Sequence, residues 1–358
     1  MTAPLPLWLF HTILSHMNPC EDLTINPNPH TLTTKAPATL MLMGEHAVLR
    51  GAAALVMAVN YSLCVTLSHP SSFGCDPTPD IQIHSKLCVF KGSLVQLSQE
   101  PRLKFVYSAL QYFKEDLQKN LLYPLSLTIE SNFESTWGLG SSAAVLVATL
   151  GGLWHWIKGA PATPVILFDN ALALLHQTQG RGSGADLAGT IWGGILHYQV
   201  NPRVIEPLAI PDALHTTPLT AIYCGYKTPT PVVIRKVQAE FDKDPLRYAR
   251  IYADIHHAAT QGIQALKAHH LPAFYQAIAH NQALMVELGV SDSMLDLILQ
   301  RLNTHAPSIP GKISGSGLGD CVIAFGTVDP TLFSDLPQIV CLPMTFNTQG
   351  VQYEYLHP

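Results

Sequence analysis

A short segment of glycine and serine is the part of this sequence best suited to chemistry. Residues 138–144 read Gly-Leu-Gly-Ser-Ser-Ala-Ala and stand directly before an apolar run of helical length. Gly138 and Gly140 have no Cβ to block a close approach, while Ser141 and Ser142 offer hydroxyls for Mg²⁺ or phosphate oxygens. Because a helix N-terminus presents free N–H groups and positive potential, the natural ligand is a phosphate. An ordinary capped helix is the structural alternative.

Two further segments combine glycine with polar side chains. Apolar residues 40–43 lead into Gly44, Glu45 and His46, so that an acid and a histidine end a predicted strand. Residues 312–321 place three glycines at alternate positions before another strand. Either segment can line a ligand pocket, although a salt-bridged turn and a flexible turn are the respective alternatives. The phosphate segment lacks the Walker and dinucleotide patterns, which excludes those two sites at the level of motifs.

The surrounding sequence predicts strands and helices that can position these segments. Apolar stretches over residues 40–68 and an alternating stretch over 124–130 predict an N-terminal sheet. Residues 103–117 repeat apolar side chains at spacings of three and four, which is typical of an amphipathic helix. Residues 143–156 and 164–179 predict two further helices, the first of them almost wholly apolar.

The chain is long enough for two domains. Its 358 residues are 47% hydrophobic and exceed what a single core usually accommodates. Four prolines in residues 201–218 indicate a linker, so we expect one domain over 34–205 and another over 206–358. Residues 1–33 are interpreted as an N-terminal extension. Helices beyond the linker mixed with a few strands predict a second domain of the α+β class.

Composition argues against several kinds of partner. The formal net charge of −5, without a long run of lysine and arginine, disfavours a nucleic-acid or anionic-membrane surface. No apolar stretch predicts a membrane span, and the apolar residues 4–10 lack the basic flank of a sorting signal. The seven cysteines form no C-x-x-C pair, so we expect reduced thiols in a cytoplasmic protein.

Four segments in this order resemble the signature motifs of the GHMP kinase superfamily, which includes galactokinase, homoserine kinase, mevalonate kinase and phosphomevalonate kinase. They are Gly-Glu-His-Ala-Val at 44–48, Gly-Leu-Gly-Ser-Ser-Ala-Ala at 138–144, Gly-Ser-Gly-Ala-Asp at 182–186 and Ser-Gly-Ser-Gly-Leu-Gly-Asp-Cys at 314–321. The likeness extends from about Lys35 to Phe325, and the first two motifs look most like those of mevalonate kinases. It implies an α+β GHMP kinase fold, with an N-terminal domain of the ribosomal protein S5 type and a ferredoxin-like C-terminal domain.

The resemblance also implies roles for individual residues. Asp186 would be the catalytic carboxylate. The structural alternative is an aspartate that only caps a turn. The residues that would hold the ATP phosphates are Gly138, Leu139, Gly140, Ser141, Ser142 and Ala143. Ser142 would also bind Mg²⁺. The residues that would face the acceptor are Glu45, His46, Lys227, Thr230, Gly315 and Gly317.

This sequence departs from the family pattern at two positions. Mevalonate and phosphomevalonate kinases usually carry a lysine in the first motif, and Thr39 stands there. Leu175 replaces the glutamate that binds Mg²⁺ in mevalonate kinases. With Thr39 in place of that lysine, a cation is missing from the expected site, and Lys227 or Lys312 is the candidate replacement.

The resemblance favours an ATP-dependent kinase that phosphorylates the hydroxyl of mevalonate in isoprenoid precursor synthesis. Phosphomevalonate is the runner-up acceptor, supported by residues 176–180 and by the ending Gly319-Asp320-Cys321. The low charge of the chain favours an unphosphorylated hydroxy acid. A kinase for a sugar or homoserine, and a nucleotide-binding protein without turnover, are the other hypotheses. A homodimer is suggested by the resemblance alone.

Overall fold

The computed structural model describes residues 31–69, 81–120 and 124–356. Residues 1–30 of the predicted extension lie outside the described residues, whereas residues 31–33 already belong to the first strand. The described cysteines are all unpaired thiols, as expected: Cys64, Cys88, Cys224, Cys321 and Cys341. Cys20 and Cys75 fall outside the described residues.

The larger of two sheets is formed mainly by the N-terminal half of the chain. Its strands are β1 (Thr31–Met43), β2 (Ala54–Ser68), β3 (Ile81–Ser85), β4 (Val89–Gly92), β5 (Leu125–Ser131), β6 (Ile195–Gln199), β7 (Val204–Leu208) and β12 (Gln352–Leu356). Their order is β12-β1-β2-β5-β3-β4, with β6 paired to β2 and β7 to β6. Residues 36–43 of β1 are buried throughout, which explains why the sequence there is apolar at every position but Thr39 rather than alternating.

Helices cover this sheet and complete the first core. They are α1 (Leu94–Leu97), α2 (Lys104–Tyr112), α3 (Lys114–Lys119), α4 (Ser141–Lys158), α5 (Pro164–Gln179) and α6 (Ala185–Trp192), with 3₁₀ turns at Ala47–Arg50 and Pro101–Leu103. The amphipathic helix predicted over 103–117 is two helices, because the chain breaks at Phe113 between α2 and α3. Helix α4 packs on β1 and β2, and its burial on most sides accounts for its apolar sequence.

The second sheet has the strand order of a ferredoxin-like domain. Its strands are β8 (Leu219–Tyr223), β9 (Gly311–Ser314), β10 (Cys321–Ala324) and β11 (Val340–Met344), and its helices are α8 (Thr230–Lys243), α9 (Pro245–Lys267), α10 (Leu271–Glu287) and α11 (Ser293–His305). A short helix α7 (Asp212–His215) precedes β8, and a 3₁₀ turn spans Pro330–Phe333. The antiparallel order is β11-β8-β10-β9. The two-domain α+β fold expected from the sequence is confirmed.

The two sheets do not divide the chain at residue 205, because segments beyond that residue also belong to the first sheet. Strand β7 continues the first sheet to Leu208, and β12 returns from the C-terminus to pair with β1 from Thr31 to Lys35. The final strand therefore belongs to the N-terminal sheet, which ties the two halves of the chain together. In the part of the chain that the structure describes, no helix is long and apolar enough to cross a membrane.

Four chain segments converge where the two domains meet. The end of β1, the start of α4, the start of α6 and the loop from β9 to β10 all contribute residues to one cleft of about 450 Å³. The segment between β8 and α8 adds Lys227 and Thr230 from the second domain. All four motifs singled out in the sequence thus line the same cavity.

Candidate active site

The phosphate segment forms a tight turn at the start of α4. Gly138 and Gly140 have φ values of 73° and 66°, a region that favours glycine. A Cβ at Gly140 would lie 2.2 Å from Thr39 Oγ1, so only glycine fits against β1. Gly138, Gly140, Ser141, Ser142 and Ala143 line the cleft, whereas the Leu139 side chain is buried elsewhere. The N-terminus of an 18-residue helix thus opens into the cleft, as an anion site requires.

Asp186 lies in the first turn of α6, across the cleft from the phosphate segment. Its Oδ1 accepts a hydrogen bond from Thr39 Oγ1 at 3.0 Å. Helix α6 begins at Ala185 with Gly184 as its N-cap, so the Asp186 carboxylate is not the cap of that helix. Burial raises the pKa of Asp186, while the Thr39 hydroxyl and the positive charge of Lys227 oppose that rise. A carboxylate with a raised pKa is a stronger base than an ordinary aspartate.

Asp320 is a site residue that the sequence motifs did not identify as functional. Its carboxylate lies between two glycine segments, since a Cβ on Gly138 would be 2.8 Å from Oδ1 and one on Gly315 would be 3.5 Å from Oδ2. Lys227 Nζ lies 3.4 Å from Asp320 Oδ1. Burial raises the pKa of Asp320, the Lys227 charge lowers it, and the neighbouring Asp186 raises it. The aspartate in the ending Gly-Asp-Cys was the available signal.

Glu45 and Lys312 form a buried ion pair behind the cleft. Lys312 Nζ lies 2.5 Å from Glu45 Oε1, and the two side chains are 0% and 2% exposed. The Lys312 ammonium also donates to the carbonyl of Ile313, and Asn281 Nδ2 donates to Glu45 Oε2 at 3.2 Å. The Glu45 carboxylate, which was predicted to face the acceptor, is thus bound by Lys312 and Asn281 of the second domain. Of the two lysines considered as replacement cations, Lys227 lines the cleft and Lys312 does not.

His46 and the last glycine segment form the adjoining wall. His46 Nε2 donates to the Ser316 carbonyl at 2.9 Å, which fixes the tautomer and leaves Nδ1 as an acceptor. Burial lowers the pKa of His46, so the ring is neutral near pH 7. Gly315 lines the cleft. Gly317 instead packs on Val290, where a Cβ would lie 2.3 Å from the Val290 carbonyl oxygen.

Leu175, Arg181 and Thr230 also line the cavity, and Arg181 is the one of these three that the sequence did not single out. Leu175, at the position of the expected metal glutamate, faces it with an apolar side chain. Arg181 lines it as well, on the segment that leads into Asp186, and its guanidinium makes no hydrogen bond or ion pair with the described residues. Thr230 borders the cleft as the first residue of α8.

A second pocket of about 200 Å³ adjoins the cleft and shares Ser141, Ser142 and Lys104 with it. Its walls are largely apolar and include Leu63, Phe105, Val106, Ile129, Phe133 and Val145. An apolar pocket beside an anion site suits an aromatic base joined to phosphates. The two cavities together therefore have the polarity of a nucleotide site next to an acceptor site.

Family models match both halves of the chain. The model of the GHMP kinases N terminal domain matches residues 104–194, which contain the phosphate segment and Asp186. The model of the GHMP kinases C terminal domain matches residues 263–330, which contain Lys312 and Asp320. Both GHMP kinase domain models therefore match this chain, in the order expected for a GHMP kinase.

Similar proteins of known name include mevalonate kinases. The chain is 25% identical over 288 residues to the mevalonate kinase of Aeropyrum pernix, which covers 80% of this chain and 86% of that protein. The structure of L. major mevalonate kinase in complex with R-mevalonate aligns with a TM-score of 0.69 at 21% identity, covering 87% of this chain and 94% of that one. Streptococcus pneumoniae phosphomevalonate kinase, in complex with phosphomevalonate and AMPPNP, aligns with a TM-score of 0.68 at 18% identity, covering 88% and 99%. These structural likenesses establish the GHMP kinase fold of this chain.

Proposed function

We propose that this protein transfers the γ-phosphoryl group of ATP to the hydroxyl of mevalonate. The observation that carries the proposal is one cleft that is lined by both the N-terminus of α4 and the half-buried Asp186. Phosphoryl transfer needs a site for phosphate charge and a group beside the attacking hydroxyl, and this arrangement supplies both. Curated relatives at about a quarter identity over most of the chain are named mevalonate kinase, which supports mevalonate as the acceptor.

The nucleotide would occupy both cavities. The N–H groups at the start of α4 would bind the phosphates, and the apolar pocket beside Ser142 would take the adenine ring. Gly138 and Gly140 allow the backbone to approach those phosphates without a Cβ in the way. This assignment retains the predicted roles of residues 138–143, with Leu139 contributing backbone only.

The residues present fit a Mg²⁺ ion that is bound together with ATP. Ser142 lines the cleft beside the acidic side chains of Asp186 and Asp320. Mg²⁺ bound to a nucleotide usually takes one or two protein oxygens, the remaining ligands being phosphates and water. A protein cage is therefore unnecessary, and no cluster of three or more His, Cys, Asp or Glu ligands occurs among the described residues. Ser142 would hold the ion, which would neutralise phosphate charge.

Asp186 would orient the acceptor hydroxyl and accept its proton. Thr39 donates to Oδ1 at 3.0 Å, which holds the carboxylate and leaves Oδ2 for the hydroxyl. The raised pKa, caused by burial, makes the carboxylate a stronger base than an exposed aspartate. Thr39 therefore orients the base at the position where related kinases carry a lysine.

The acidic group of the acceptor would bind Arg181. This guanidinium lines the cleft, lies on the same segment as Asp186 and is exposed to a ligand. A guanidinium pairs with one carboxylate through two parallel hydrogen bonds. The same geometry accepts a phosphate, so phosphomevalonate is the second candidate acceptor, favoured by the Gly-Asp-Cys ending and by the fold likeness to phosphomevalonate kinase.

A coupled assay of ADP release tests the proposed function. Purified protein with Mg-ATP is supplied separately with mevalonate, mevalonate 5-phosphate, homoserine or galactose. Turnover with mevalonate as the preferred acceptor supports the proposal. Turnover with only the phosphorylated acid would establish the second candidate, and turnover with neither acid would refute both. A cytoplasmic location and a homodimer stay predictions.

Replacing Arg181 with glutamine should raise the KM for mevalonate by about 10- to 100-fold, since a charge-assisted bond to a carboxylate contributes about 1.5–3 kcal/mol. The KM for ATP should change little, because the α4 terminus binds the nucleotide. Steady-state kinetics with each substrate varied in turn provide the measurement. The matched control is Arg250→Gln on the exposed surface of α9, where the arginine pairs with Glu287. An unchanged KM for mevalonate in Arg181→Gln would remove Arg181 from the acceptor site.

A further inference from the structure

We propose that Lys227 is the fixed cation of this active site and that Asp320 is the residue that positions it. The inference rests on the proposed phosphoryl transfer and adds a charge-stabilising residue to it. Lys227 would interact with the negative charge that develops on the transferred phosphoryl group. Asp320 would act only through Lys227, by holding its ammonium against the phosphate segment.

The position of Lys227 supports this role. It follows β8 in the second domain and lines the cleft with a side chain that is 31% exposed. Its ammonium has three N–H donors, and Asp320 Oδ1 at 3.4 Å is its ion-pair partner among the described residues. At least two donors therefore remain for oxygens of a ligand. An ammonium held on one side and open on the other is suited to a phosphoryl group.

The backbone of Asp320 fixes its carboxylate in place. Its N–H donates to the Tyr226 carbonyl at 3.0 Å, and its own carbonyl accepts from Cys224 at 3.0 Å. The residue has φ 67°, a left-handed conformation that aspartate and asparagine tolerate better than most residues. The carboxylate lies beside Gly138 and is 5% exposed, yet its Oδ1 accepts no hydrogen bond of ordinary geometry from the described residues.

Electrostatics require a cation at this point. An unpaired carboxylate beside the phosphate segment would repel a triphosphate, and burial strengthens such repulsion. Lys227 lies where it offsets that charge, and it also lowers the pKa of both Asp320 and Asp186. One ammonium thus serves both carboxylates. Thr39 carries no charge and Lys312 is occupied by Glu45, so neither provides this stabilisation.

A double-mutant cycle tests whether Asp320 acts through Lys227. The variants are Lys227→Met, Asp320→Asn and the combination, with kcat and both KM values measured on the preferred acceptor. We expect Lys227→Met to lower kcat by about 10²-fold, in the range seen when one charge-stabilising donor is removed. Asp320→Asn should lower kcat by about 10-fold, and the double variant should match Lys227→Met alone. Both KM values should stay within a few-fold of the original, since the effect lies on the transition state.

The variants Asp320→Asn and Lys227→Arg, together with a titration of Mg²⁺, separate positioning by Asp320 from misfolding and from metal binding. Asp320→Asn preserves shape and tolerates the left-handed backbone, so lost folding would not imitate lost positioning. Lys227→Arg should recover part of the activity, because charge is restored. The control cycle uses Lys158 and Asp116, which pair at 3.0 Å on the surface, and all of its variants should keep full kcat. Losses that multiply in the double variant would show that the two residues act independently and would refute positioning. A loss of kcat in Asp320→Asn that excess Mg²⁺ restores would also refute positioning and would make Asp320 a metal ligand.

Failure of the proposed function is distinguishable from failure of this inference. If the unmodified protein phosphorylates none of the four acceptors, the proposed function fails, and the cycle is then read by calorimetric binding of Mg-ADP with aluminium fluoride, which mimics the phosphoryl group in transfer. In that case Lys227→Met should weaken binding of the analogue, and Asp320→Asn should add nothing in the Lys227→Met background. Independent effects of the two substitutions on binding would overturn the pairing.

Discussion

Replacing Asp186 with asparagine should lower kcat for the preferred acceptor by about 10²- to 10⁴-fold, the range for loss of a general base. Asparagine keeps the shape and still accepts the hydrogen bond from Thr39 Oγ1, which is 3.0 Å from Asp186 Oδ1. It cannot accept a proton from the acceptor hydroxyl. Because only the proton transfer is removed, binding of ATP should survive, and calorimetry with AMPPNP should show an affinity close to that of the original protein.

The pH profile provides a second readout of the same substitution. Burial raises the pKa of Asp186, and a base acts only when ionised, so the original protein should lose kcat on acidification at a pH above the ordinary range of aspartate. The residual activity of Asp186→Asn should lack that acid limb. The matched control is Asp254→Asn on exposed α9, near Arg250. Retention of more than a tenth of kcat in Asp186→Asn would show that Asp186 is not the base.

Local sequence chemistry was enough to predict the glycine turn and the helix after it, while their binding of phosphate stays a prediction. The pattern is local, because the helix follows directly after the glycines at 138 and 140. The structure shows left-handed glycines at the start of α4. The two-domain fold was predictable for a similar reason, since helical and strand periodicity are local properties. The return of β12 to β1 was not predictable in this way, because strand pairing over more than 300 residues leaves no local signal.

The roles of the charged residues depended on contacts that are distant in sequence. The resemblance to GHMP kinases implied that Glu45 faces the acceptor, but Lys312 from the other domain pairs with its carboxylate. The sequence left Lys227 and Lys312 as equal candidates for the missing cation. The fold separates them, since Lys227 opens into the cleft and Lys312 is fully buried. Arg181 was overlooked because nothing beside it in sequence shows what it faces, and Asp320 because the Gly-Asp-Cys ending was used only to compare candidate acceptors.

The Glu45–Lys312 pair predicts the largest effect on stability. Replacing Lys312 with methionine keeps most of the side-chain volume but leaves the Glu45 carboxylate buried without its 2.5 Å partner. Breaking one side of a buried pair usually costs about 3–5 kcal/mol, because the remaining charge is uncompensated. We therefore expect a clear fall in the melting temperature, followed by circular dichroism and by intrinsic fluorescence so that unfolding of either domain is seen.

The double replacement separates lost charge from lost packing. Lys312→Met combined with Glu45→Gln removes both charges, and the glutamine can still accept the bond from Asn281 Nδ2, so much of the stability should return. Lys243→Met is the control, because Lys243 pairs with Glu240 on the exposed face of α8 and such pairs contribute little. A Lys312→Met protein that keeps its melting temperature but loses kcat would contradict this assignment. Lys312 would then be a cation of the cleft, and Lys227 could no longer be assigned as the single fixed cation of the site.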